Sequence, residues 1–115
     1  MAKLGVITDG ISTDFEHALK IMSQNNLDQA ELQYLWDKEV GDFDKSEIDK
    51  IEELLKKYNM DVSCISRHNF AGIGVHEVSI GDNTYNHHME KFKECIDMAK
   101  RFNSPLVRII SFRKE

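Results

Sequence analysis

Residues 30–36 run Ala30-Glu31-Leu32-Gln33-Tyr34-Leu35-Trp36, a stretch rich in strand formers. A strand turns successive side chains to opposite faces. Ala30, Leu32, Tyr34 and Trp36 therefore share one face, while Glu31, Gln33 and Leu35 share the other. A glutamate and a glutamine in mid-strand are costly against a packed helix. They are tolerated where that face looks into a lumen with a wet mouth. The stretch thus separates two architectures. A sheet covered by helices on both sides has central strands that are apolar on both faces, whereas a closed ring of strands keeps its helices outside. Glu31 and Gln33 favour the ring.

Working outward, the segment after this strand is a clear amphipathic helix. Asp44 and Ser46 offer caps, and Ile48, Ile51, Leu54, Leu55 and Tyr58 make one apolar stripe. Glu52 with Lys56, and Glu53 with Lys57, add i, i+4 pairs in the favourable order. Before the strand, Thr13 and Glu16 have capping-box spacing, and Phe15, Ala18, Leu19 and Met22 recur on one helical face up to Asn25-Asn26. Residues 3–8, KLGVIT, read as a first short strand closed by Asp9-Gly10. Residues 62–66, VSCIS, read as a third strand. A loop from Arg67 to about Asn83 follows, long enough to suggest a functional loop, with 75–80 alternating weakly as a small hairpin arm. A third helix spans about 85–102, with Met89, Phe92, Ile96 and Ala99 on one side, and Asn103-Ser104-Pro105 stops it. Residues 106–112, LVRIISF, form the last strand.

Strands alternating with helices are successive βαβ units, so residues 1–115 read as one α/β domain with a parallel sheet and right-handed crossovers. Arg108, between Val107 and Ile109, is a second polar intrusion. Turned inward with Glu31, it would supply the partner that a buried charge requires. The reading is half of a TIM barrel: four strands and three helices, where a whole barrel takes about 250 residues. Its outer strands would leave open edges, so closure calls for a second copy, the missing half or a compensating change of fold.

Composition narrows the function classes. A formal charge of -5, with lysines interleaved among acids, argues against a nucleic-acid partner. No apolar run approaches the roughly 20 residues of a membrane span, and the run from Leu4 to Ile7 is too short for a signal peptide. The expected location is the cytoplasm. Cys64 and Cys95 match no zinc or redox spacing and read as two reduced, buried thiols.

The runs KLGVITDG, AELQYLWDKEVGDF, DVSCIS and above all MEKFKECIDMAKRFNSPLVRIISF resemble the sugar phosphate isomerase/epimerase group of xylose-isomerase-like barrels. Members tend to carry a helix ending Ala-Lys-x-hydrophobic-Gly before a strand reading Val-Arg-hydrophobic. Here MAKRFNSPLVRII fits, with Asn103 at the glycine position, and Asn tolerates the left-handed conformation of a helix stop. Glu31 matches the acid common in the group's second strand. The resemblance covers nearly the whole chain, but only the front half of the family's domain. It implies a divalent metal (Mn, Mg or Zn) held by Glu, Asp and His, mostly on strands five to eight, and acid-base movement of a proton beside a sugar carbonyl. Those strands are absent here, so no tight metal binding and no turnover are expected of this chain alone.

Chemistry in such barrels gathers at the C-terminal ends of strands. That rule marks Asp9 and Gly10, Trp36 and Asp37, Arg67, His68 and Asn69, and Ser111 and Arg113. Four candidates for binding a sugar or sugar phosphate stand out. His68 is either a ligand or a loop histidine; Trp36 either stacks on a sugar or packs beneath the loop. Glu31 and Arg108 are either substrate contacts or a structural pair in the lumen. His87 and His88 are adjacent on a helix and cannot easily share one ion, and His76 and His17 add little. Gly72-Ile73-Gly74 lacks the context of a phosphate loop. Gly10-Ile11-Ser12-Thr13 at a helix start is a generic anion site. Two functions follow: the N-terminal portion of a metal-dependent sugar (phosphate) isomerase or epimerase, or a non-catalytic half-barrel module that self-associates.

Overall fold

The computed structural model describes residues 4–68 and 83–108. Its strands are β1 (Gly5–Ile7), β2 (Gln29–Leu32), β3 (Tyr34–Leu35), β4 (Lys38–Glu39), β5 (Asp61–Ser66) and β6 (Val107–Arg108). The helices are α1 (Phe15–Gln24), α2 (Lys45–Lys57) and α3 (Asn83–Arg101), with a single 3-10 turn at Thr8–Gly10. The sheet is parallel throughout, in the order β1-β2-β5-β6. Strands adjacent in the sheet are thus consecutive along the chain, apart from the separate β3–β4 hairpin. The fold is α/β, as the alternation of strand and helix patterns implies.

One core holds the molecule together. Phe15, Leu19 and Met22 from α1, Ile51 and Leu54 from α2, and Cys95, Met98 and Ala99 from α3 pack with Ala30, Leu32, Val62 and Ile65 of the sheet. All three helices therefore cover the same face. The opposite face carries Gln29 and Glu31 of β2, then Ser66 and Arg108, which are paired neighbours on β5 and β6. A bulge between Ala30 and Glu31 admits Ser63 as the extra residue of β5. A Cβ placed on Gly5 would lie 3.2 Å from the Ser63 hydroxyl. Their strands are separated by β2, so in a flat sheet Cβ positions on them would stand about 9.6 Å apart, twice the strand spacing. The sheet is therefore curled, concave on its polar face.

Each helix ends the same way. Asn26, Asn59 and Asn103 have φ of 60°, 54° and 56°. Beyond them, Leu27 N–H donates to the Met22 carbonyl at 2.9 Å, Met60 to Leu55 at 2.9 Å, and Ser104 to Ala99 at 2.8 Å. These are three Schellman stops with asparagine in the left-handed position. The expectation for Asn103 holds, and the two earlier helices repeat it.

Several expected details differ. Asp14, not Thr13, caps α1, accepting from His17 N at 3.2 Å, because the helix starts one residue later than the Thr13–Glu16 spacing suggests. On α2, Asp44 and Glu47 form the capping box. Glu52 pairs with Lys56 as expected, but Lys57 reaches across to Glu16 of α1 at 2.7 Å in place of Glu53. The buried face of α3 is Cys95, Met98 and Ala99; Phe92 and Ile96 are half-buried and Met89 is exposed. Ala99 is buried as expected, but the core takes the neighbouring side of the helix through Cys95 and Met98. The expected hairpin arm at 75–80 and positions 109–112 of the last strand lie outside the described residues.

The expected strand over 30–36 is broken. β2 ends at Leu32, and residues 34–39 form an antiparallel hairpin of their own. Its turn residues, Trp36 and Asp37, both have positive φ, 51° and 68°. That is the backbone of a type I′ turn, which normally calls for Asn-Gly. Leu35, placed on the polar face by simple alternation, is fully buried instead.

Candidate functional site

The hairpin explains how polar groups gather at the C-terminal ends of β2 and β5. Left-handed backbone costs a bulky residue such as Trp36 about 1–2 kcal/mol. Trp36 is held there by its amide, which donates to the Thr13 carbonyl at 2.8 Å. Its ring meets Phe15 and Phe43 edge-on at 5.9 and 6.2 Å, and the Lys50 ammonium lies 5.4 Å from its centroid. The indole is thus engaged on the helix side of the fold. Val40 N–H donates back to the Gln33 carbonyl at 2.9 Å, which aims Glu39 across the end of β5.

There Glu39 meets two consecutive residues, Arg67 and His68. Arg67 is buried, and a buried guanidinium needs opposite charge and acceptors. It donates to the Val40 carbonyl at 2.8 Å and pairs with Asp42 at 3.2 Å and Glu39 at 3.5 Å. Lys91 of α3 adds a second cation, 3.1 Å from Asp42 and 3.3 Å from the Gly41 carbonyl. Gly41 has φ of 97°, and a Cβ there would touch Arg67, Cys95 and the Lys91 carbonyl at 3.4 Å each. A side chain would be both strained and crowded at this position. Burial pushes the Asp42 carboxyl up, but its bonds to Arg67 and Lys91 outweigh that and hold it below its usual value. Burial, and next the nearby Glu39 carboxylate, push the Tyr34 phenol up. Burial, helped by the Glu39, Glu94 and Asp42 carboxylates and opposed by Arg67, drives the Cys95 thiol to about 12.

His68 is the accessible member of the cluster. Its backbone N–H and its Nδ1 both lie 2.8 Å from Glu39 Oε2. A carboxylate only accepts, so Nδ1 carries the proton and Nε2 is left as an acceptor. Gln33 Nε2 lies 2.9 Å from that Nε2 and 3.3 Å from Nδ1, and with Nδ1 protonated it donates to Nε2. The imidazole also stacks on Tyr34, 5.8 Å between centroids at 29°. The result is an oriented, part-exposed imidazole whose basic nitrogen is covered by a single amide. It can accept a hydroxyl hydrogen bond when the Gln33 amide is displaced from it.

On the concave face, Ser66 is fully buried and donates to Glu31 Oε2 at 2.7 Å. Cys64 Sγ lies 3.6 Å from the same hydroxyl. Arg108, exposed, stands beside Ser66, so Glu31 and Arg108 share the face of the sheet away from the helices. They are not in contact: no ion pair within 4 Å joins them among the described residues, and Ser66 stands between.

The structure therefore brings Glu31 and Arg108 to one face and seats His68 at the strand end, while Trp36 faces the helices. Asp9 accepts the Tyr34 amide at 3.4 Å. Asn69, Gly72-Ile73-Gly74, His76, Ser111 and Arg113 lie outside the described residues. At the start of α1 the Asp14 carboxylate accepts one helix-start amide, that of His17, and sets a negative charge beside the Gly10–Thr13 segment. The rings of His87 and His88 meet edge-on at 5.6 Å. Among the described residues no three His, Cys, Asp or Glu side chains converge as a metal site, and no helix is long and apolar enough to cross a membrane. Both cysteines are free and buried, as expected.

Sequence reasoning missed Glu39, Asp42, Lys91 and Ser66. The signal was present in KEVGD: two acids flanking a glycine, with an arginine at the end of the next strand that needs carboxylates if buried. Compared with protein-family models, curated proteins and solved structures, the chain matches none of them.

Proposed function

We propose that the chain is the front half of a xylose-isomerase-like TIM barrel, the N-terminal portion of a metal-dependent sugar (phosphate) isomerase or epimerase, without turnover of its own. The observation that carries this reading is the concave polar face with Glu31, Ser66 and Arg108 on consecutive staves. A doubly wound sheet reverses its strand order and covers both faces with helices. Here the order runs without reversal, and every helix joins one core on the convex side. Hydroxyl-rich ligands need paired donors and acceptors in a partly dry pocket. Glu31, Arg108 and the Nε2 of His68 offer an acceptor, a cation and a second acceptor at that side and end of the sheet.

The implied divalent metal does not fit the residues present. Glu31 is bonded to Ser66 and His68 to Glu39, with no third ligand converging among the described residues. No chemical step is therefore assigned to a metal in this half; its part is to bind and orient the sugar.

Titration of the isotope-labelled chain with sugar phosphates and free sugars tests the reading. The amides of Glu31, Ser66, His68 and Arg108 should shift together, and Arg108→Ala should weaken the phosphorylated ligands more than the free sugars. Shifts confined to the helical side, or none in the millimolar range, would count against it. Metal-dependent turnover by the chain alone would refute the claim that it is inactive.

A further inference from the structure

β1 and β6 are the two ends of the sheet. Each is preceded by an exposed leucine: Leu4, 71% exposed, before β1 and Leu106, 61% exposed, before β6. Open strand edges invite another strand. The concave face adds opposite charges near either end, Glu31 on β2 and Arg108 on β6. Resting on the half-barrel reading, we infer that the chain closes its barrel with a second copy of itself, β6 of each copy lying parallel to β1 of the other.

The register supports this pairing. A two-fold axis along the barrel keeps all eight strands parallel and repeats one seam twice. A barrel of this class accumulates a stagger of about eight residues around the ring, so about four per copy. The pairs Ile7–Glu31 and Glu31–Cys64, continued one place back from Ile65–Val107, define a level running from Ile7 to Leu106. Right-handed coiling of the strands makes the stagger fall toward their N-terminal ends. The level therefore reaches the second copy four residues before Ile7. One place further on, Val107 lies beside Leu4 of that copy. The opposite sign would set β6 against residues 11–13, which lie beyond β1 and its 3-10 turn and offer no strand.

Charge fits as well. Around the closed ring the lumen face reads Glu31, Arg108, Glu31, Arg108 on every second stave. Each guanidinium gains a second carboxylate neighbour two strands away, across the seam. Like charges stand on opposite sides of the lumen.

Sedimentation velocity and light scattering on the full chain should give twice its 13.3 kDa mass. The double variant Leu4→Cys/Val107→Cys should oxidise to a covalent dimer. Either single variant should not, because the two copies of each residue face each other across the barrel. Buried Cys64 and Cys95 do not compete. Glu31→Arg should raise the dimer dissociation constant about tenfold or more, and Glu31→Arg/Arg108→Glu should recover most of the loss. A monomeric mass at millimolar concentration, or cross-linking of a single-cysteine variant, overturns the proposal. A monomer that still shows the sugar-phosphate shifts sinks the second copy alone. A correctly cross-linked dimer that binds no sugar phosphate sinks the functional reading alone.

Discussion

Replacing Arg67 with methionine keeps much of the side chain's length and apolar stem but removes three polar contacts at once. The Val40 carbonyl loses a donor at 2.8 Å, Glu39 loses the guanidinium, and Asp42 keeps its pair with Lys91. The side chains of Arg67 and Glu39 are 10% and 15% exposed, so water cannot fully replace what is lost. Removing one partner of a buried pair costs about 3–5 kcal/mol. Asp42 is more open, which places the expected loss near the lower end, about 3 kcal/mol. With a urea m-value of about 1.5 kcal/mol/M, the unfolding midpoint should fall by about 2 M, followed by circular dichroism. Glu39→Gln should cost less in that background than in the native protein, since the contact with Arg67 is already gone and only the bonds to His68 remain. If Arg67→Met costs less than about 1 kcal/mol, or if the two substitutions simply add, the cluster does not pin the hairpin in the way described.

Four further outcomes can be measured. Asn103→Gly should be neutral or stabilising by up to about 1 kcal/mol, whereas Asn103→Val should cost about 1–2 kcal/mol, because φ of 56° suits glycine and strains a β-branched residue. Asp37→Gly should raise the melting temperature by a few degrees through relief of its left-handed backbone at φ of 68°. Cys95 should resist thiol reagents at neutral pH until the protein unfolds, since it is fully buried and its thiol is pushed to about 12. The Asp42 carboxyl, held below its unfolded value, contributes stability that is present above that value and lost as pH falls through the folded one. Acid unfolding should therefore steepen below about pH 4, and Asp42→Asn should flatten that part of the curve.

The parts of the fold that were legible are those in which local chemistry and burial agree. Phe15, Ala18, Leu19 and Met22 mark the face of α1 and are its buried residues. Asp44 marks the start of α2, and residues 62–66 the heart of β5. The hairpin was hidden because Trp36-Asp37 is the wrong chemistry for a type I′ turn and Lys38-Glu39 has no strand-forming bias; tertiary packing of the indole outweighs both. The face of α3 was legible at Ala99 but otherwise misjudged, because periodicity follows Met89, Phe92 and Ile96 whereas the core takes Cys95 and Met98. In the candidate site, Glu31, Arg108 and His68 were visible as polar groups on strands or at their ends. Glu39 and Asp42 read as solvent-facing charges, since only the folded-back hairpin sets them against Arg67.

The shared asparagine stop gives the three described helices the same local exit. After each stop the chain runs on into a strand, β2, β5 or β6, that lies parallel to its neighbour, so one residue type serves all three helix-to-strand connections.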